Sequence, residues 1–370
     1  MNNKELKDLQ QKRQKLLSLL KENEQALALL NEGDTTNPLP KKIDADLIEH
    51  IHQLDEKRNR IIKSDISFSG FEELDKTTGG FKKNDFVIIG ARPGMGKSTL
   101  MLNILLNDIF ESNKNVLYFS LEMTKKQILN KLLSYETGIA YAKINNGALK
   151  KSEWETLEEN SERLRNSPLF IDDTPAINLY DLIAKCKQMK QQHNVSLVYV
   201  DSLQQITLTE KQKRQAKSRN VLNIVSSEFK KLIKSDDITI IATSQIAKSV
   251  ETRGGAKRPQ IYDLKGSTEL EEDADIILLL YRPEYYRITQ DEDGLDVRRM
   301  AELIVAKNKF GQTDTVKVKY NALMDKFEEF TPDDIEEYNR YNNPWSGPFL
   351  SEFDDEFNDE FGDDDDDCPF

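Results

Sequence analysis

The chain has 370 residues, and 38% of them are hydrophobic, which is enough for one large domain or two smaller ones with a real core. Its net charge of -13 is concentrated near the carboxyl end, where Glu352–Asp367 contains eleven acidic residues and no basic ones. These side chains account for all but two of the net negative charges, so the overall acidity does not exclude nucleic-acid binding.

Cysteines, histidines and apolar runs exclude several other classes of protein. Cys186 and Cys368 are the two cysteines, and neither belongs to a C-x-x-C pair, so we expect no disulfide framework and no zinc site. His50 and His52 would point to different faces of a helix, which argues against a metal site. No apolar run approaches the ~18 residues of a membrane span, and the polar start lacks the apolar stretch of a signal peptide. We therefore expect a soluble, cytoplasmic protein that has no membrane partner.

Two helices are predicted ahead of the main domain. In the first segment, 1–32, leucines over 3–31 recur at alternating spacings of three and four, as in a short coiled coil. A packed helical hairpin is the alternative. Residues 33–43 are predicted to form a turn-rich linker, and 44–64 a second amphipathic helix.

Residues 65–331 have the pattern of an α/β domain. Their unbroken apolar runs predict strands buried on both faces of a mainly parallel sheet that is flanked by helices. The predicted strands are 86–90, 116–122, 169–173, 196–201, 238–245 and 274–282. Helical stretches at 97–112, 124–136, 152–165, 178–193 and 218–235 separate most of them. An antiparallel hairpin is predicted from 301–308 and 314–320, and 332–370 is predicted to be a disordered acidic tail.

The stretch GARPGMGKST, residues 90–99, follows a predicted strand and opens a predicted helix. In such a loop, backbone N–H groups surround phosphates, the lysine reaches the β- and γ-phosphates, and the hydroxyl binds Mg²⁺. Alanine replaces the usual first glycine, at a position that needs a small residue more than a left-handed backbone. A chance strand–turn–helix connection is the alternative. The predicted nucleotide-binding residues are Ala91, Arg92, Pro93, Gly94, Met95, Gly96, Lys97, Ser98 and Thr99.

Polar side chains end three of the predicted strands. Asp201 follows a buried strand, as a Walker B acid does, and is expected to hold Mg²⁺ together with Ser98. Glu122 ends another strand and is placed to activate water for attack on a γ-phosphate. Gln245 emerges at the same edge as a candidate sensor of that phosphate, although a solvated strand end is an equally good interpretation.

Together, these motifs resemble the RecA-like motor domain of bacterial and phage replicative helicases of the DnaB family. The matching pieces, in the family order, are FSGFEELDKTTGGFKKNDFVIIGARPGMGKS, LYFSLEM, LVYVDSLQQI, TIIATSQ, RPQIYDLKGSTELEEDADIILLLYR and IVAKNKFG. The family loop commonly has alanine in its first position. The resemblance implies a P-loop NTPase that uses ATP or another NTP with Mg²⁺. It also implies a hexameric ring that moves 5′ to 3′ on single-stranded DNA, in a bacterial or phage-infected cell.

The resemblance also implies roles for individual residues. Glu122 matches the catalytic glutamate, Asp201 the Walker B acid, and Gln245 the residue that couples the γ-phosphate to DNA. Lys307 and Lys309 match a pair that a neighbouring subunit inserts beside the γ-phosphate, alongside the Lys97 of the receiving site. The family usually has arginine at the second position. Lysine supplies the charge without the bidentate fork, so slower or differently tuned hydrolysis is expected. Exposed lysines on a hairpin are the alternative.

The DNA-facing loop of the family corresponds to 248–270 here. The expected DNA contacts are Arg253, Lys265, Gly266 and Thr268, because basic side chains and glycine N–H groups suit a phosphate backbone. The family usually has Arg-Glu-Ser-Gly where this chain has Lys-Gly-Ser-Thr at 265–268, which puts the individual contacts in doubt. A generic solvated loop is the alternative.

The two ends of the chain depart from the family pattern. The family has a globular amino-terminal domain, whereas only about 62 residues precede this motor. Helix 44–64 matches the linker helix that docks on an adjacent subunit, and the helix in 1–32 has no counterpart. The terminal DDDDDCPF resembles the acidic tip of single-stranded DNA-binding proteins. The first helix or this tail is therefore a candidate site for a primase, loader or polymerase, with a purely solubilising tail as the alternative.

Two other functions remain open at this stage. One is a DNA-dependent ATPase of recombinase-mediator type that does not unwind duplexes. The other is an interaction scaffold that binds nucleotide but hardly hydrolyses it.

Overall fold

The computed structural model describes residues 66–112, 114–210, 220–291 and 294–331, together with residue 334. The chain divides into two compact units, Met1–Ile62 and Lys63–Phe370, and all described residues belong to the second. The predicted helices in 1–32 and 44–64, the linker between them and nearly all of the tail lie outside the described residues.

A nine-stranded sheet forms the centre of the described domain, in the order β11-β10-β9-β8-β3-β7-β6-β4-β5. Its strands from β8 to β5 are parallel, which confirms the prediction of a mainly parallel sheet. A separate antiparallel pair precedes it. The strands are β1 (Ile66–Ser67), β2 (Phe81–Lys82), β3 (Phe86–Ala91), β4 (Val116–Ser120), β5 (Leu169–Asp172), β6 (Leu197–Asp201), β7 (Thr239–Gln245), β8 (Ile276–Tyr281), β9 (Met300–Asn308), β10 (Thr315–Asn321) and β11 (Lys326–Glu328).

Helices cover both faces of the sheet. The α-helices are α1 (Glu72–Thr78), α2 (Lys97–Asn107), α3 (Lys125–Thr137), α4 (Tyr141–Asn146), α5 (Lys151–Arg165), α6 (Leu179–His193), α7 (Val221–Asp236), α8 (Ser249–Thr252) and α9 (Ser267–Asp273). Short 3₁₀ turns lie at Leu203–Gln205, Ile261–Asp263 and Pro283–Tyr286. Within the ranges given above, no helix is long and apolar enough to cross a lipid bilayer.

The burial of the central strand β3 explains why the predicted strands are apolar on both faces. All six of its residues are buried, and neighbouring side chains enter different cores. Val87 and Ile89 join the core under α2, whereas Phe86 and Ile88 join the core under α7. The rings of Phe86 and Phe229 meet edge to face with centroids 6.1 Å apart. Burial on both faces requires the continuous apolar runs seen in the sequence.

The predicted antiparallel hairpin is present as β9 and β10. Strand β9 also pairs antiparallel with β8, and the register shifts at Ile277/Leu278, so that Ala306 forms a bulge. Strand β11 was not predicted, because it has three residues and one buried apolar side chain, Phe327.

One predicted helix differs from the structure. The stretch 97–112 is α-helical only to Asn107 and continues as a π-helical turn, Asp108–Ser112. Asp108 is fully buried and accepts hydrogen bonds from the hydroxyl groups of Ser67 and Tyr199. These two bonds hold its side chain inward at the point where the helix widens. A single sequence window does not reveal such distant partners.

Candidate functional site

The loop between β3 and α2 has the backbone of a phosphate-binding loop. Gly94 and Gly96 have φ values of 81° and 100°, in the left-handed region that favours glycine. A Cβ on Gly96 would lie 3.0 Å from the Phe327 ring, so space as well as conformation selects glycine there. Ala91 instead ends β3 in a buried, extended position, which explains why alanine is tolerated.

The nine residues predicted to bind nucleotide do not all face the same way. The guanidinium of Arg92 donates to the Ile246 carbonyl (2.7 Å) and pairs with Glu251 (2.7 Å), so it ties the loop to the chain after β7. The Thr99 hydroxyl donates to Asp325 (3.1 Å), and Met95 is buried in the core. Pro93 and Gly94 are exposed, Gly96 and Ser98 are half-buried, and Lys97 is buried.

Asp201 is the buried carboxylate of this site. Thr243 donates to its Oδ1 (2.5 Å) and Tyr118 to its Oδ2 (3.2 Å). Burial raises the pKa of Asp201, the negative charge of Glu122 adds to that effect, and hydrogen bonds from Ser98 and Thr243 together with the charge of Lys97 oppose it. Lys97, Ser98, Glu122 and Asp201 therefore lie together, as the sequence predicts.

Glu122 lies two residues beyond the end of β4, on the solvent side of this cluster. It is exposed, and its Oε1 accepts a hydrogen bond from the Ser202 hydroxyl at 2.5 Å. The peptide bond between Asp201 and Ser202 is cis. A carboxylate with one fixed hydrogen bond and free access to water has the geometry that a general base requires.

Gln245 links the nucleotide-facing edge to the predicted DNA loop. Its backbone N–H donates to Gln204 Oε1 (3.2 Å), and its side-chain Oε1 accepts from Lys265 Nζ (3.1 Å). The Lys265 backbone N–H also donates to the Gln245 carbonyl (3.0 Å). Gly266, with φ 73°, and Thr268 follow at the start of α9. Three of the four predicted DNA contacts are thus grouped beside Gln245.

The fourth predicted contact, Arg253, is separate from that group. It forms an ion pair with the buried Asp263 (2.6 Å), and its guanidinium lies over the Tyr262 ring at 5.2 Å. Arg258 is paired with Glu302 (2.7 Å). Both arginines therefore hold the loop in place. Tyr262 is 62% exposed, and sequence reasoning did not single it out.

The two lysines of the β9–β10 hairpin lie at the opposite edge of the sheet. The Lys309 backbone N–H bonds to the Asp275 carbonyl (2.9 Å), and the Asp275 N–H bonds to the carbonyl of Phe86, the first residue of β3. The phosphate loop begins five residues later, after Ala91, which is about 16 Å along the strand. The structure therefore does not bring Lys307 and Lys309 to the phosphate loop of their own chain.

With the geometry in place, comparison with known proteins identifies the domain. Residues 68–329 match the model of the DnaB-like helicase C-terminal domain. The chain belongs to this family. A replicative DNA helicase DnaB of Geobacillus stearothermophilus is 34% identical over 275 residues, which are 74% of this chain and 56% of that protein. A probable replicative DNA helicase of Trieres chinensis is 38% identical over 70% of this chain and 56% of its own length.

Solved structures agree with the DnaB-like assignment. A solved structure described as an ATPase domain has a TM-score of 0.69 and 29% identity, over 79% of this chain and all of that one. A DnaB-like replicative helicase, described with its interactions with primase, has a TM-score of 0.66 and 27% identity. The match extends over 87% of this chain and 77% of that one. The DnaB-like domain here therefore has a RecA-like core, as the sequence predicts, and such ATPase domains bind nucleotide. The chain spans a little over half of the curated relatives just named.

Sequence reasoning missed several side chains that frame this DnaB-like site. Tyr118 and Thr243 hold Asp201 through hydroxyl groups that lie within fully buried stretches of β4 and β7, and a hydroxyl inside a buried strand is a usable signal. The Tyr285 ring lies 3.1 Å from where a Cβ on Gly94 would be. The Arg282 guanidinium stacks on the Tyr320 ring at 3.5 Å. The last two features join residues that are distant in sequence.

Proposed function

We propose that this chain is the motor of a replicative DNA helicase. It hydrolyses ATP, moves 5′ to 3′ along single-stranded DNA and thereby separates duplex strands. The observation that carries the proposal is the convergence of Lys97, Ser98, Asp201 and Glu122 in a chain of the DnaB-like family. It accounts for nucleotide binding and for hydrolysis within one cluster.

The chemistry follows from where each side chain lies. Lys97, at the start of α2, supplies positive charge to the β- and γ-phosphates. Glu122 accepts a proton from the attacking water, and its hydrogen bond from Ser202 fixes the direction of the carboxylate. The hydroxyl of Ser98 and the carboxylate of Asp201 form an oxygen donor set that fits Mg²⁺. When bound, Mg²⁺ would neutralise charge that develops on the phosphates.

A second copy of the chain completes the site in this proposal. Lys307 and Lys309 lie too far from their own phosphate loop to reach it, so their charge acts on the nucleotide of a neighbour. A closed ring gives every subunit one such neighbour, and a hexamer is the ring that the family resemblance implies. A cation supplied in trans of this kind is worth ~10³–10⁵ in rate.

Hydrolysis is coupled to DNA through Gln245 in this proposal. Its side chain is hydrogen-bonded to Lys265, which precedes Gly266 and Thr268 on the predicted DNA loop. A change in the hydrogen bonds of Gln245 when the γ-phosphate leaves would therefore move the DNA contacts directly. Arg253 contributes by holding this loop through Asp263.

The remaining proposals concern the ends of the chain and its surroundings. The helix predicted in 44–64 docks on the adjacent subunit, and the helix predicted in 1–32 or the acidic tail recruits a primase, loader or polymerase. The Phe residues among the acids of the tail favour recruitment over simple solvation, since solvation has no use for them. The cytoplasm of a bacterial or phage-infected cell is the compartment that fits these roles.

Strand separation on forked DNA tests the proposed function. The full chain with ATP and Mg²⁺ should unwind a fork that has a 5′ single-stranded tail and should leave a fork with only a 3′ tail intact. Lys97→Ala serves as the control without hydrolysis. DNA-stimulated hydrolysis without strand separation would support the recombinase-mediator alternative, and negligible hydrolysis would support the scaffold.

A further inference from the structure

The two lysines predicted to act in trans occupy different environments. The Lys307 ammonium donates to the backbone carbonyls of Glu271 and Ala274 (2.7 Å for the second), at the carboxyl end of α9. Lys309 makes no such backbone bond from its side chain, which is 51% exposed and lies 3.3 Å from Asp275 Oδ1. Two lysines that look equivalent in the sequence are therefore held in different ways.

Lys307 is bound as a helix cap. Carbonyls at the last turn of a helix lack intrahelical partners, and a lysine that binds two of them stabilises that end. Burial lowers the pKa of Lys307, as expected for an ammonium enclosed by the fold. Reaching out to a neighbour would cost Lys307 both carbonyl bonds. The bulge at Ala306 sets this direction, because it shifts the register of β9 just before Lys307.

Asp275 contacts Lys309 through one of its two carboxylate oxygens, and the other oxygen is held by different partners. Asp275 Oδ2 accepts from Lys230 Nζ (2.6 Å) and from the Phe86 backbone N–H (3.0 Å), which leaves Oδ1 for Lys309. Burial raises the pKa of Asp275, but the hydrogen bonds and charges of Lys230, Phe86 and Lys309 outweigh it and keep the pKa below its usual value. The carboxylate is thus ionised and fixed. Its contact with the exposed Lys309 is screened by water and weak, so a phosphate can compete for the ammonium.

We propose that Asp275 is a positioning residue for Lys309, and that Lys307 also fixes the end of α9. This inference rests on the proposed hydrolysis between subunits. It assigns Asp275 a role, and it gives Lys307 a structural role beside the charge that the proposed function assigns to it. Because α9 begins at the predicted DNA contacts Gly266 and Thr268, Lys307 joins the hairpin to the DNA loop through one short helix.

A double-mutant cycle on DNA-stimulated ATP hydrolysis tests the inference. Asp275→Asn keeps the shape of the side chain and removes its charge, and it should lower kcat about ten-fold with little change in KM, since Lys309 is misplaced rather than lost. Lys309→Met should lower kcat further. The double variant should be no slower than Lys309→Met, because Asp275 acts only through Lys309. Asp172→Asn, which removes a carboxylate paired with Lys185 at the far edge strand, is the matched control.

Each outcome decides between specific claims. An unchanged kcat for Asp275→Asn, or additive losses in the double variant, overturns the positioning role. If Lys309→Met itself leaves kcat unchanged, the proposed trans hydrolysis fails instead. Should Asp275→Asn not fold, Asp275→Glu carries the test, because it keeps the ion pairs but moves the carboxylate, and kcat should fall several-fold. Lys307→Met should lower the melting temperature by several degrees through loss of the cap, whereas Lys309→Met should not.

Discussion

The two edges of the parallel sheet differ in the candidate functional side chains that they carry. At the carboxyl edge, Lys97, Ser98, Glu122 and Asp201 lie together, and Asp201 is held by the hydroxyls of Tyr118 and Thr243. At the amino edge, Lys309 extends from the β9–β10 hairpin beside Asp275, about 16 Å along the sheet from the phosphate loop. One edge has the groups proposed to bind and hydrolyse nucleotide, and the other has the cation proposed to act on the nucleotide of a neighbour.

In the proposed mechanism, this difference makes one chain only part of the catalytic unit. Two edges on opposite sides of one sheet cannot meet within a subunit, and the proposed ring would bring them together between successive subunits. Hydrolysis would then depend on assembly.

Loss of the exposed ammonium at the amino edge should have the largest effect. Lys309→Met is expected to lower kcat for ATP hydrolysis by about 10³-fold, because the trans charge on the γ-phosphate disappears. Lys309→Arg is the matched variant that keeps the charge and adds a fork, and it should hydrolyse at least as fast as the natural chain. Steady-state hydrolysis with single-stranded DNA measures both. Equal rates for Lys309→Met and the natural chain would mean that Lys309 does not contribute to hydrolysis.

Loss of the base at the carboxyl edge should come next. Glu122→Gln keeps the hydrogen bond from Ser202 but cannot take a proton from water, so kcat should fall by about 10²-fold or more. Nucleotide affinity should stay within a few-fold, because Lys97 and Ser98 are unchanged. Titration with a fluorescent ATP analogue and a hydrolysis assay separate the two effects. A variant that hydrolyses normally would support the scaffold alternative.

The link between the edges should respond more weakly. Lys265→Ala removes one predicted phosphate contact and the hydrogen bond to Gln245, so affinity for oligo(dT) should fall several-fold and the salt dependence should decrease by about one unit of slope. Fluorescence anisotropy over a salt series measures this. Lys185→Ala, on α6 beside Asp172 of the far edge strand, is a control that should leave binding unaltered. If the salt dependence of DNA affinity is the same for Lys265→Ala and the natural chain, Lys265 does not contact a phosphate of the DNA.

The buried Asp108, just after the carboxyl end of α2, gives a prediction about stability alone. Burial raises its pKa to about 6, from a usual value of 3.8, so folding takes up a proton between these pH values. Its contribution to stability is therefore greatest at low pH and is lost as pH rises through about 6, by on the order of 3 kcal/mol. Asp108→Asn should lack that loss, as urea unfolding at several pH values would reveal. Asp172→Asn should change the pH dependence in the other direction: burial raises the pKa of Asp172, but hydrogen bonds from Lys185 and Thr174 outweigh it and lower the pKa, so this variant should lose stability at high pH and little at low pH.

Much of the carboxyl edge could be predicted from sequence, and less of the amino edge. Strand ends such as Asp201 and Gln245 are visible in local patterns, because the carboxyl ends of parallel strands meet at one edge. The different roles of Lys307 and Lys309 are not visible, since they depend on a bulge at Ala306 and on carbonyls of α9 more than thirty residues away. The partners of Arg92 and Arg253 were missed for the same reason, because each ion pair joins distant segments or a turn.

Mixing two inactive variants tests the central claim most directly. Lys97→Ala subunits lack the phosphate loop lysine but keep Lys309, and Lys309→Met subunits have the reverse defect. If every site takes one residue from each of two subunits, an equal mixture should recover about a quarter of the natural rate of DNA-stimulated hydrolysis. A mixture no faster than its components would contradict the account, because it would mean that both lysines act within a single chain.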